Sequence, residues 1–185
     1  MIRWWREQPF LVTKVGQLWR LARESHVAPI AGSSRRPELV GIGELGVTFI
    51  GHSSFLLQVS GRNVLIDPVF SKRLVLLRRQ RHAGLLVKEL PAIDVVLLTH
   101  AHMDHLDMSS LRQVVRATRR LTGKAPEVVV PKGVEDLVVK LGFARVHEME
   151  WWKRLEVSGL RVTMTPCRHW GRGCSMTRTG VMAGM

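Results

Sequence analysis

Nine consecutive residues constrain this chain more than any other feature: Thr99-His100-Ala101-His102-Met103-Asp104-His105-Leu106-Asp107. Three histidines and an aspartate fall within six positions, directly after the apolar run Ala92 to Thr99 (AIDVVLLT) and directly before a helical pattern. Four ionisable groups crowded at the end of a buried strand are costly unless something compensates them. Imidazole nitrogens and carboxylate oxygens are the donors that zinc takes in catalytic sites, so a metal is the natural compensation. In a tight loop His100 and His102 can converge on one ion while Asp104 and His105 turn toward a second. The carboxyl end of a strand is also where open α/β sheets place their sites.

The pattern around this loop predicts a mixed α/β (α+β) sheet with helices on one face. Val47 to Val59 and Asn63 to Asp67 read as β runs joined at Ser60-Gly61-Arg62, a hairpin signal. Ala92 to Thr99 reads as a strand buried on both faces. Met108 to Leu121 places Leu111, Val114, Val115 and Ala117 on one helical face, with Ser109 or Ser110 as the expected cap. Glu127 to Val130 is a short strand, and Gly133 to Leu141 a helix closed by Gly142. Val146 to Met149, Leu155 to Val157 and Leu160 to Thr165 complete the β runs.

Residues 1–40 are different in character. Phe10 to Ala22 carries apolar residues at spacings of three and four, beside Arg20 and Arg23, and Ala28 to Pro37 reads as a linker. Such a helix can lie on an anionic membrane, or pack on the domain with a solvated basic face. Over all 185 residues Lys+Arg 28 against Asp+Glu 15 gives a net charge of +13. A second basic stretch, Ser71 to Lys88, is interleaved with leucines and can meet anionic headgroups or simply face solvent. The charge would suit a nucleic acid, yet there is no aromatic-plus-basic platform for single strands, so no specific nucleic-acid partner is expected. Two cysteines, Cys167 and Cys174, are too few for a disulfide framework, and a cytoplasmic location is expected, with a peripheral place at the inner face of the membrane as the extension of the basic-helix reading. No uncharged apolar run of membrane-spanning length is present, and the amino terminus makes a poor secretory signal.

The motif HxHxDH after an apolar strand, here His100, His102, Asp104 and His105, resembles that of metallo-β-lactamase-fold hydrolases. Gly51-His52-Ser53-Ser54, VLIDPVFS (Val64 to Ser71), PAIDVVLLTHAHMDHLD (Pro91 to Asp107), WWKRLEV and TPCRHW are similar to the branch typified by N-acyl-phosphatidylethanolamine-hydrolysing phospholipase D. The resemblance implies an αββα sandwich, with the domain over residues 41–172 and an atypical tail over 173–185. It implies a first ion on His100, His102 and His169, and a second on Asp104 and His105. One or two zinc ions are expected, with manganese or iron as alternatives. A metal-bound hydroxide would attack a lipid phosphodiester, oriented by Asp104. Lactonases and nucleases share the fold and stand as the alternative chemistries. Asp67, just before Pro68, is implied as a carboxylate behind the ligand loop, its other reading being a turn cap. His52 either faces the mouth of the site or packs in the hairpin. His26, His82 and His147 have no ligand-like context. The family's bridging aspartate and last histidine have no counterpart in the 16 residues after His169. The expectation is therefore that only the first half of the sandwich is present, as in a truncated, frame-shifted or fragment product, holding one ion firmly and hydrolysing weakly or not at all.

Overall fold

The structure, a computed structural model, describes residues 9–74, 77–166 and 183–184. Helix α1 (Pro9–Val27) leads into three antiparallel strands, β1 (Leu45–Gly51), β2 (Ser54–Val59) and β3 (Arg62–Ile66). The expected single run from Val47 to Val59 is thus two strands, folded back at His52-Ser53. His52 takes φ 56°, and the register slips between Phe49 and Gly51. Nothing in the apolar pattern marks this turn, because Phe49, Ile50 and Phe55 to Leu57 read continuously as β. The second hairpin falls where expected. Ser60 (φ 51°) and Gly61 (φ 71°) form a two-residue turn whose left-handed conformations match strand twist.

Two short strands follow, β4 (Arg73–Leu74) and β5 (Leu77–Arg78), and then β6 (Val95–Leu97). Helix α2 (Met108–Thr122), β7 (Glu127–Pro131), a single turn α3 (Glu135–Val138) and β8 (Val146–Met149) come next, and β9 (Arg154–Val157) pairs with β10 (Leu160–Thr163). The main sheet has the order β1-β2-β3-β6-β7-β8, and its pairs are parallel from β3 onward. All three residues of β6 are buried, as a central parallel strand requires.

One face of the sheet (Leu56, Leu65, Val96, Leu98, Val128, Val130) packs against Leu111 and Val114 of α2 and against Val138 and Leu141. The opposite face (Val64, Val95, Leu97, Val129) is covered by Val157, Met164 and the apolar side chains of the β9–β10 hairpin. Helix α2 is capped by Asp107, not by Ser109 or Ser110. The Asp107 carboxylate accepts the Ser109 N–H at 3.1 Å and hydroxyl hydrogen bonds from Ser71 and Ser110. A carboxylate has enough acceptor sites for all three donors, which a serine hydroxyl lacks.

The segment from Ala28 to Pro37 is tied to the strand region that follows β5. Ala31 N–H donates to Gln80 O at 2.9 Å, His82 N–H to Ala31 O at 2.9 Å, and Arg35 N–H to Gly84 O at 2.8 Å. Gly84 in turn donates to Ile50 O at 2.6 Å, and a Cβ built there would lie 2.3 Å from Phe49 O. Only glycine admits that approach. Gly84→Ala is expected to cost about 2–3 kcal/mol, read as a lower urea midpoint with an unchanged m-value. Helix α1 packs on β5 through Ser25, whose Oγ accepts the Arg78 N–H at 3.1 Å, while Leu18, Trp19 and Leu21 remain exposed. Among the described residues no helix is long and apolar enough to cross a membrane.

Candidate metal centre

Parallel pairing of β3 with β6 aligns Ile66 with Leu97, so the next residues of each strand emerge side by side at the carboxyl edge of the sheet. Asp67 follows Ile66 and Thr99 follows Leu98. Asp67 takes φ 40°, an uncommon conformation for a residue with a side chain, and donates its N–H to Leu97 O at 3.0 Å. Its side chain is only 2% exposed. Oδ1 accepts the Thr99 N–H at 2.8 Å, and Oδ2 accepts the Thr99 hydroxyl at 2.5 Å and His105 Nδ1–H at 2.7 Å.

This one carboxylate fixes two imidazoles. His105 gives its Nδ1 proton to Asp67, so Nε2 carries the lone pair and faces Asp104, with Oδ2 3.9 Å away. Because the Thr99 hydroxyl spends its proton on Asp67, it can only accept from His100, whose Nδ1 lies 2.9 Å off. Nε2 is then the nitrogen of His100 that carries the lone pair as well. Metal-binding histidines are held in this manner, with the far nitrogen hydrogen-bonded to a carboxylate or its relay. Thr99→Val is expected to weaken zinc affinity by roughly tenfold while Thr99→Ser retains it, measured against a competing chromophoric chelator.

The loop that carries these groups is pinned at both ends. Thr99 is held by Asp67, and Asp107 by Ser71 and the first turn of α2. Between them a tight turn forms, with His102 O accepting the N–H groups of His105 at 2.9 Å and Leu106 at 2.8 Å. The turn stacks the rings closely: His100 to His105 centroids are 4.0 Å apart, and His100 to His102 4.6 Å in an edge-on arrangement. His52, presented by the β1–β2 turn, donates Nε2–H to Asp104 Oδ2 at 3.0 Å. It faces the site, the first of the two readings left open for it.

Two overlapping groups of donor atoms result, each with its atoms within 4.8 Å of one another: His52, Asp104 and His105, and Asp67, His100 and His105. His105 belongs to both. His102 stands beside His100 outside either group, and His169 lies outside the described residues. Nitrogen and oxygen donors without sulfur suit zinc, manganese or iron, so the residues present fit a metal of that class. Burial opposes the ionisation of Asp104, but the His52 hydrogen bond, the backbone and the neighbouring imidazoles outweigh it and hold its pKa below the ordinary carboxylate value. Burial likewise disfavours charge on His105, and the hydrogen bond and charge of Asp67, helped by Asp104, overcome it and raise its pKa. Thr99 and the cap Asp107 were not among the expected site residues. A hydroxyl ending an apolar strand and an aspartate opening a helix were their only signals.

Comparison with known proteins matches this arrangement to one family. The model of the β-lactamase superfamily domain matches residues 62–185. An uncharacterised protein of Mycobacterium tuberculosis is 34% identical over 174 residues, 88% of this chain and 45% of that protein. The mitochondrial N-acyl-phosphatidylethanolamine-hydrolyzing phospholipase D of Saccharomyces cerevisiae is 31% identical over 132 residues, covering 66% of this chain and 27% of the yeast protein. A UPF0173 metal-dependent hydrolase of Methanopyrus kandleri is 32% identical over 123 residues, 66% of this chain and 46% of its own length. The chain thus spans less than half the length of these relatives. Among solved structures, the diiron β-hydroxylase CmlA of Streptomyces venezuelae superposes with a TM-score of 0.53 at 25% identity, over 66% of this chain and 24% of CmlA. The metallo hydrolase Igni18 of Ignicoccus hospitalis gives 0.52 at 21% identity, over 75% and 53%. The mixed sheet with α2 and α3 on one face is accordingly part of the metallo-β-lactamase fold, and the chain belongs to the β-lactamase superfamily.

Proposed function

We propose that this chain is the metal-binding part of a hydrolase that cleaves phosphodiesters, with a lipid phosphodiester as substrate. The observation that carries the reading is the cluster of His100, Asp104 and His105 at the carboxyl edge of the sheet, on histidines whose tautomers Asp67 sets. His100, His102, His105 and Asp104 would hold the metal, with His169 joining as the family resemblance implies. When bound, such an ion lowers the pKa of a water and polarises a phosphoryl oxygen. The chain's own residues supply the rest. Asp104, kept ionised and steadied at Oδ2 by His52 Nε2, orients the attacking water. Asp67 and Thr99 keep the Nδ1 protons of His105 and His100 in place so that both Nε2 atoms stay available.

The likeness to the yeast phospholipase D favours a phosphodiester over the lactone and RNA alternatives. The exposed Leu18, Trp19 and Leu21 beside Arg20 and Arg23 on α1 support contact with an anionic membrane surface, at the cytoplasmic face. The test is a parallel assay of a model phosphodiester, a lactone and a short RNA on chelator-treated protein, before and after addition of zinc, manganese or iron. Weak metal-dependent cleavage of the phosphodiester is expected. Cleavage of the lactone or RNA in its place would reassign the substrate, and no metal-dependent cleavage of any of the three would sink the hydrolase reading for this chain. Vesicle flotation is expected to show binding to anionic but not to neutral vesicles.

A further inference from the structure

A cavity of about 600 Å³ is lined by His52 and Asp104 of the candidate metal centre together with Arg78, Arg79 and Arg81. Phe49, Val69 and Leu77 give it an apolar lining as well. The lining thus combines guanidinium groups and apolar side chains with the groups that would do the chemistry.

Arg79 is built in, not draped over the surface. Its Nη2 donates to Val69 O at 2.6 Å and its Nε to Ser71 O at 3.3 Å. These bonds fix the guanidinium plane over Gly51, where a Cβ would come within 2.9 Å of Nη1 and where φ is +128°. Glycine at 51 therefore does two things: it makes the bend before His52, and it leaves room for the arginine directly beside that histidine. Burial lowers the Arg79 pKa from its ordinary value and the charge of Asp107 opposes this; a guanidinium stays protonated regardless. Arg81 lies two residues further along the same extended segment, with Gln80 and His82 on either side of it hydrogen-bonded through the backbone to Ala31. It reaches the same cavity as an exposed side chain. A cationic pair of this kind costs stability through self-repulsion and recovers it when an anion binds.

We propose that Arg79 and Arg81 are the anion-recognition groups of the substrate pocket, receiving phosphodiester oxygens while the apolar lining takes an acyl chain. This deepens the phosphodiesterase reading and rests on it for the identity of the anion. Arg81 offers a fork that matches phosphate oxygens bidentately, Arg79 adds its Nη1 donor, and the apolar lining distinguishes a lipid from free phosphate.

The test separates binding from turnover. Chelator-treated protein is titrated with dihexanoyl phosphatidylglycerol below its micelle concentration, and with dihexanoylglycerol, which has the same acyl chains and no phosphate. Wild-type protein is expected to bind the phosphodiester roughly 10- to 100-fold tighter than the neutral lipid, the range of one to two charge-assisted hydrogen bonds. Arg81→Gln is expected to remove most of that preference and leave dihexanoylglycerol binding unchanged, and Arg79→Gln to do the same if it folds. Because Arg79 also holds two backbone carbonyls, Arg81→Gln decides the matter should the other variant unfold. Arg161→Gln, a charge loss at an ion pair with Glu156 on the β9–β10 hairpin, is the control and is expected to keep the preference. Equal binding of the two lipids by wild type, or an unchanged preference in Arg81→Gln, overturns the proposal. A preference that survives in wild type while no phosphodiester is hydrolysed would leave the arginine pair standing and remove the phosphodiesterase reading alone.

Discussion

Asp67→Asn is expected to weaken zinc binding by about 10- to 100-fold and to cost the metal-free chain about 2–4 kcal/mol. Both effects come from one buried oxygen pair that accepts three hydrogen bonds, two from Thr99 and one from His105. An asparagine has one acceptor oxygen and replaces the other with an NH₂ donor. Wherever that amide points, a donor meets a donor in a site with almost no solvent. The lowest-cost escape is for His105 to move its proton to Nε2, the atom the metal needs. Chelator competition reads the first effect, and urea unfolding in the absence of metal reads the second. Zinc affinity unchanged in Asp67→Asn would show that the histidine tautomers are set by something else.

His105→Ala is expected to have the largest effect on metal binding, a loss of roughly 100-fold or more. Zinc in small protein sites is bound with about 10–16 kcal/mol, so one of four ligands is worth on the order of 3 kcal/mol. His105 exceeds an ordinary ligand because it belongs to both donor groups and also carries the hydrogen bond to Asp67. His52→Ala is expected to cost about tenfold or less, since its imidazole belongs to one group and is 47% exposed. The order of the two variants is the informative part. Equal losses would mean that the two groups do not share their centre at His105.

The histidine-rich loop and the strand–helix order around it were legible because both depend on local chemistry. Clustered imidazoles after Val95–Leu97 have few bland explanations, and the 3.6-residue pattern from Met108 to Leu121 places Leu111, Val114 and Val115 on one face, as a helix on a core requires. The turn at His52-Ser53 was not legible, since the residue that breaks the strand is a histidine at positive φ inside an apolar run. That turn is what brings His52 within hydrogen-bond distance of Asp104, so its role could not be read without it. The relay from Asp67 through Thr99 to His100 was hidden for a different reason. It depends on the Ile66–Leu97 register between strands about 30 residues apart, which no local pattern encodes. The strap from Ala28 to Pro37 looked like a linker because its glycine, serines and prolines are turn formers. Its backbone hydrogen bonds to residues 80–84 come from tertiary packing, which composition does not carry.

The central claim is that the β6–α2 loop is a metal centre of imidazole and carboxylate donors. X-ray absorption at the zinc edge, on protein loaded with one equivalent and freed of excess metal, tests it most directly. A nitrogen- and oxygen-only shell with clear imidazole scattering, lost in His105→Ala, is expected. Failure to retain zinc at micromolar protein, or a shell containing sulfur from Cys167 or Cys174, would contradict it.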